Sequence, residues 1–193
     1  MIVAAKDLRK KSELDRVPHD RPGWYRWWAS PAALKALLGD HNESLAPRLS
    51  QGSGPLTGLS YIYVGVAVKE SIQARLNWHV NQHHTRNCVW HGTLSTLRQS
   101  IASLVGQDQL DEAATNVLID QLTIEYFPLT QPIKSPEAKT SLEQCERKEM
   151  GQHVLPLNIQ HNHNLVISDF KNVLKAARKA AKQSCLVNDQ PTN

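Results

Sequence analysis

The sequence predicts an α/β or α+β fold, a small sheet with helices packed over it. Three short strand-like runs, at 23–28, 61–68 and 122–127, alternate with segments of helical periodicity. Only the first two runs can approach one another as a hairpin would. At 193 residues, with 40% hydrophobic and 21% charged, the chain suits one compact domain over 1–193 and excludes a collagen-like or wholly disordered protein.

Each element has its own signal. The polar, basic stretch from Lys6 to Lys11 lacks clear periodicity and is given no role in the fold. Gly23-Trp24-Tyr25-Arg26-Trp27-Trp28 is aromatic-rich and follows Asp20-Arg21-Pro22, so it reads as a strand entered from a turn. Ser30-Pro31 then supplies a helix cap and a first-turn proline, with Leu34, Leu37 and Leu38 on one face up to Gly39. Residues 40–59 hold turn-formers without apolar spacing and predict a long surface loop. In 61–68, alternation places Ile62, Val64, Val66 and Val68 on a core face and Tyr61, Tyr63, Gly65 and Ala67 on the other.

From Ser71 onward Ile72, Leu76 and Val80 mark a helix, and the same period sets Arg75 and His79 together on another face. A loop with His83, His84, Arg86 and Asn87 precedes an amphipathic helix through Leu94, Leu97, Ile101, Leu104 and Val105, closed by Gly106, and a shorter helix at 111–120. The third strand stops at Pro128. Ser135-Pro136 repeats the cap-then-proline start for a helix carrying Leu142, Glu143, Cys145, Glu146 and Glu149, and Leu155-Pro156-Leu157-Asn158 ends the connection after it. A last helix, within about 165–185, has Phe170, Leu174, Ala177 and Ala181 on one stripe and five Lys and Arg elsewhere; 186–193 read as disordered.

The formal charge of +4 permits polyanion binding without requiring it. Three widely spaced cysteines without a Cys-x-x-Cys pair argue against a disulfide framework, and no apolar run reaches the length of a membrane span, so a cytoplasmic protein without a membrane partner is expected. His84, Cys88 and His91 are zinc-type donors, but a structural zinc site needs a fourth and none is evident.

The unusual residues fall in a definite order: Gly23-Trp24-Tyr25, then Tyr63-Val64-Gly65, Arg75 with His79 four residues on, Glu146, and Asn158 twelve residues later. This order resembles the GIY-YIG nuclease superfamily, Trp24 and Val64 standing where isoleucine is commonest. Arg75-x-x-x-His79 looks like the form in the restriction-enzyme branch. The resemblance runs over about 20–160 and implies a three-stranded, mainly antiparallel sheet flanked by helices, with insertions at about 30–59 and 90–120. It further implies an endonuclease acting on nucleic acid, DNA favoured, with one Mg²⁺ (or Mn²⁺) on Glu146. Tyr25 would activate water, Tyr63 and His79 would support it, Arg75 would bind phosphate, and Asn158 would fix the geometry.

The residue types are compatible with that chemistry. A tyrosine hydroxyl, with an ordinary pKa of about 10, serves as a base only where cations favour its phenolate. An arginine grips phosphate bidentately, and one carboxylate suffices to anchor a hard cation that keeps its waters. Taken one at a time, the same residues have plainer readings: tyrosines packing in strands, a solvated helix arginine, Glu143, Glu146 and Glu149 as one charged face, and Asn158 as a turn. A binding module on the same scaffold without activity is the alternative. Sequence or structure preference and oligomeric state do not follow from one chain.

Overall fold

The structure is a computed structural model describing residues 1–105 and 109–187, the last three without their side chains. Its strands are β1 (Ile2–Ala4), β2 (Gly23–Ala29), β3 (Ser60–Ala67) and β4 (Leu122–Pro128), forming one antiparallel sheet in the order β1-β4-β2-β3. The helices α1 (Lys11–Leu14), α2 (Pro31–Leu38), α3 (Asn42–Leu45), α4 (Ile72–Asn81), α5 (Arg86–His91), α6 (Thr96–Val105), α7 (Glu112–Ile119), α8 (Pro136–Gln152) and α9 (Ser168–Val187) surround it.

The α+β class holds, with one more strand than the three expected. β1 arises from the N-terminal stretch that lacks periodicity, because Ile2 to Ala4 pair with Glu125 to Thr123 and the following turn buries Ala5 and Leu8. A three-residue strand is too short to show period-two alternation, and tertiary pairing supplies what local pattern does not. Nor is 40–59 a plain loop. It contains α3 and several short 3₁₀ turns that bury Leu45, Leu49 and Leu56.

Serine caps set the helix starts as the sequence indicates. Ser30, Ser71 and Ser135 each accept a hydrogen bond from the backbone N–H three residues on, and Pro31 and Pro136 occupy first-turn positions whose missing N–H loses nothing. The expected closure at Gly106 lies outside the described residues. So does the expected disorder at 186–193 from residue 188 on, while α9 continues through Val187.

β2 and β4 are central, and both faces of the sheet are covered. On one face Tyr25, Trp27 and Ala29 join the main core with α2, α4, α6 and α9, through Leu37, Leu76, Ile101 and Phe170 among others. On the other, Trp28, Tyr61 and Val64 pack with Met150 near the end of α8 and with Leu155 just beyond it. An irregularity separates these sets. Trp27 pairs with Tyr63 but Trp28 pairs with Tyr61, leaving Ile62 as an extra residue in β3. The expected alternation therefore breaks, and Tyr61 and Tyr63 enter different clusters rather than sharing a face. A bulge reverses the facing of everything beyond it, and no glycine marks this one in the sequence.

Candidate active site

The two motif glycines are sites where a side chain cannot fit. A Cβ on Gly23 would overlap the Phe127 carbonyl and Ile72. Gly65 lies directly across the ladder from Tyr25, and a Cβ there would overlap the tyrosine's hydroxyl and ring. Tyr25 thus lies flat over the strand that carries Tyr63-Val64-Gly65. That close approach lets Tyr25 Oη reach His79 Nε2 at 2.5 Å.

His79 is enclosed. Its ring meets Tyr25, Trp27 and Tyr63 edge-on, with centroids 5.3, 5.8 and 6.3 Å away, and its Nδ1 lies 2.9 Å from Ser95 Oγ. Burial first, then the charges of Arg75 and Arg98, push its pKa well below the ordinary value, so the imidazole is neutral. Burial also drives the Tyr25 hydroxyl well up, reinforced by Tyr63 and opposed by Arg75. Tyr63 is raised likewise, by burial and then Glu146, with Arg75 and Arg178 opposing.

Arg75 stacks over Trp78, 4.7 Å from the ring centre, and its Nε stands 2.6 Å from Glu70 Oε1 in an ion pair. Its side chain is only partly exposed, and its charge acts on both tyrosines, His79 and Glu146. Glu146 lines an open cleft of about 740 Å³ together with Glu143, Arg147, His161 and His163. Among the described residues no hydrogen bond or ion pair engages its carboxylate. Burial raises its pKa, His161 lowers it and Glu143 raises it further.

The three glutamates of α8 are therefore distinct. Glu143 is half-buried and pairs with Lys139 and Arg147. Glu149 is buried, gripped by Arg26 through both oxygens at 2.8 and 2.9 Å and by the Tyr61 hydroxyl at 2.8 Å. Although burial opposes it, those hydrogen bonds hold the Glu149 carboxyl below its usual range. Glu146 is half-buried like Glu143, but of the three it alone lines the cleft without an ion-pair or hydrogen-bond partner among the described residues. A carboxylate destabilised by burial and by a like charge is one that a cation would stabilise, so the donor set fits a hard divalent ion held by Glu146 with water completing the shell. Among the described residues no cluster of three His, Cys, Asp or Glu could hold a metal by itself. His84 is spent on Gln109 O at 2.7 Å and Arg98 Nε at 2.9 Å, which removes it from any zinc set.

Asn158 does not enter this group directly. Its side-chain amide accepts from Val64 N and donates to Val64 O, both at 2.9 Å, like one rung of a further strand on the free edge of β3. It fixes the segment between Tyr63 and Gly65. The structure thus joins Tyr25 to His79, sets Tyr63 beside them, brings Arg75 and Glu146 within electrostatic reach, and leaves Asn158 acting through the backbone. Tyr25 and His79 are each only 1% exposed, and the cleft is lined by Glu146 rather than by the tyrosines. Sequence reading missed Ser95, Glu70 and Arg26, and it took His161 and His163, which line the cleft, for ordinary loop histidines. For Arg26 the alternating aromatics of β2 were a signal; for Ser95 there was none.

A small antiparallel sheet with its two tyrosines, an arginine–histidine helix and a carboxylate on a later helix make up the candidate site. The family model for the GIY-YIG catalytic domain matches residues 23–180, and the chain belongs to that nuclease family. Its members are generally dependent on a divalent metal and act on nucleic acid. No curated protein and no solved structure matches the chain.

Proposed function

We propose that this protein is a metal-dependent endonuclease hydrolysing phosphodiester bonds, with DNA as substrate. The observation that carries the reading is the Tyr25–His79 hydrogen bond set beside Tyr63, under the charges of Arg75 and Glu146. Burial raises the Tyr25 hydroxyl, so its phenolate forms only as the bound site, with Arg75 favouring it, draws off the hydroxyl proton to solvent; it then takes a proton from the attacking water while the water oxygen bonds to phosphorus and the phosphorus–oxygen bond to the leaving group breaks. Arg75 exchanges its partner Glu70 for the phosphate, gripping it through two N–H groups. Mg²⁺ or Mn²⁺ on Glu146 would supply counter-charge for the phosphate and the departing oxygen. Tyr63 and His79 hold the Tyr25 hydroxyl in place, and Asn158 holds the strand beneath it.

Plasmid nicking with Mg²⁺ tests this. Tyr25→Phe should lose about 100-fold or more in rate, and Arg75→Ala and Glu146→Ala should be similarly impaired. Undiminished cutting by any of the three removes the role given to that residue. A second reading, a nucleic-acid-binding module without turnover, is favoured by two observations: Tyr25 and His79 are closed to solvent, and Arg75 is held by Glu70. Salt-sensitive DNA binding with no Mg²⁺-dependent cleavage by wild type would establish that reading over the first.

A further inference from the structure

Three groups form a continuous chain: Tyr25 Oη to His79 Nε2 at 2.5 Å, and His79 Nδ1 to Ser95 Oγ at 2.9 Å. All three residues are buried, Ser95 completely. Ser95 also accepts the backbone N–H of Arg98 at 3.2 Å, which caps the start of α6. Arg98 in turn donates to the carbonyls of His79 and Val80, both at 2.9 Å, tying the last turn of α4 to α6. Ser95 is therefore held against His79 from both sides, by a helix in the segment the sequence reads as an insertion.

A neutral imidazole offers one donor and one acceptor. Two hydroxyl protons, on Tyr25 and on Ser95, compete for that one acceptor, so one of them has no partner among the described residues. If Nδ1 carries the proton, the unpaired one is on Ser95, a buried hydroxyl with no part in the reaction, and it stays unpaired throughout. If Nε2 carries it, Ser95 donates to Nδ1, Nε2 donates to Tyr25 Oη, and the unpaired proton is on Tyr25, as closed to solvent as Ser95 but the hydroxyl to which the nuclease reading gives the reaction. Loss of that proton leaves every group in the chain paired.

We propose that Ser95 is a positioning residue that fixes His79 in its Nε2–H form, so that Tyr25 Oη receives a hydrogen bond and keeps its own proton for the reaction site. Both the tautomer and its consequence for catalysis rest on the nuclease reading, in which Tyr25 is the group that gives up its proton; the contact of Ser95 with His79 does not.

Nitrogen-15 NMR of the full-length protein labelled at histidine separates the two tautomers. Wild type should show His79 with Nδ1 unprotonated and hydrogen-bonded; an Nδ1–H tautomer overturns the proposal, whether or not the protein cleaves DNA. In Ser95→Ala, Nδ1 should lose its hydrogen-bond signature and kcat should fall about ten- to a hundredfold at unchanged KM, as when the orienting partner of a functional histidine is lost. Ser95→Thr keeps the hydroxyl and should restore both. Should Ser95→Ala fail to fold, wild type and Ser95→Thr still decide, because a threonine variant with normal folding and the opposite tautomer refutes the assignment. Full activity in folded Ser95→Ala refutes the positioning role.

Discussion

Gly65 shows how tightly a single position can bind motif to mechanism. Its missing side chain is the space in which the Tyr25 ring lies, so Gly65→Ala must push that ring away from His79. Cleavage should then fall at least as far as in Tyr25→Phe, with the His79 NMR signals perturbed as well, whereas Tyr25→Phe leaves the backbone undisturbed. The α8 glutamates give a second contrast. The Glu146 carboxyl is raised on folding, so its contribution favours the native state below the ordinary carboxylate range and is lost as pH rises through the raised value. Glu146→Gln should therefore abolish metal-dependent cleavage while leaving the neutral-pH Tm equal or higher. Glu149 is depressed, and the sign reverses: its contribution is present above the ordinary range and lost as pH falls through the depressed value. Glu149→Gln should lower stability at neutral pH by about 1–3 kcal/mol and flatten the acid side of the Tm profile. Thermal melts of both variants across pH check the two signs.

Strands and helices explain why part of this arrangement can be read from the sequence and part cannot. The serine-proline starts of α2 and α8 are local chemistry, and the sequence contains all of it. The order of motif residues is visible too, since it needs no geometry. The bulge at Ile62 is different: it depends on how β3 meets β2, and it alone sends Tyr61 to Glu149 and Tyr63 to His79. Along α8 alone Glu146 and Glu149 are equivalent; the spacing to Asn158 favours Glu146, and the docking of α8 against Arg26 shows why Glu149 is committed elsewhere. β1 is invisible because its hydrogen-bond partners lie more than 100 residues away. Asn158 belongs to the same class, its role being to pair the edge of β3. Replacing it by alanine leaves two buried backbone groups of Val64 unpartnered, and chemical denaturation should show a loss of about 2 kcal/mol or more. Glu146→Gln, by contrast, should leave the denaturation midpoint in place or raise it.

Over the molecule as a whole the charge excess is small, and its placement decides whether it matters. Lys171 and Arg178 of α9 are turned to internal partners, Asn162 O and Gln99 Oε1. Lys175, Lys179 and Lys182 are exposed and follow one another at helical spacing along one face of α9. α9 packs on α5 and α6, and the pull of Arg178 on the Tyr63 hydroxyl links the same helix to the site. A face of this kind either solvates the helix or lies along a phosphate backbone, and salt separates the two. If these lysines contact DNA, each phosphate they neutralise releases condensed counterions, so log K falls with log salt by about 0.9 per contact. Replacing all three by alanine should make the slope shallower by about 2–3 and weaken binding at low salt, in fluorescence anisotropy with a labelled duplex. The rate of cleavage at saturating DNA should stay the same, because none of the three touches Tyr25, His79 or Glu146. An unchanged slope would make the face a solvating one and move the search for the DNA-contacting surface to the rim of the cleft, where Arg147, His161 and His163 stand beside Glu146.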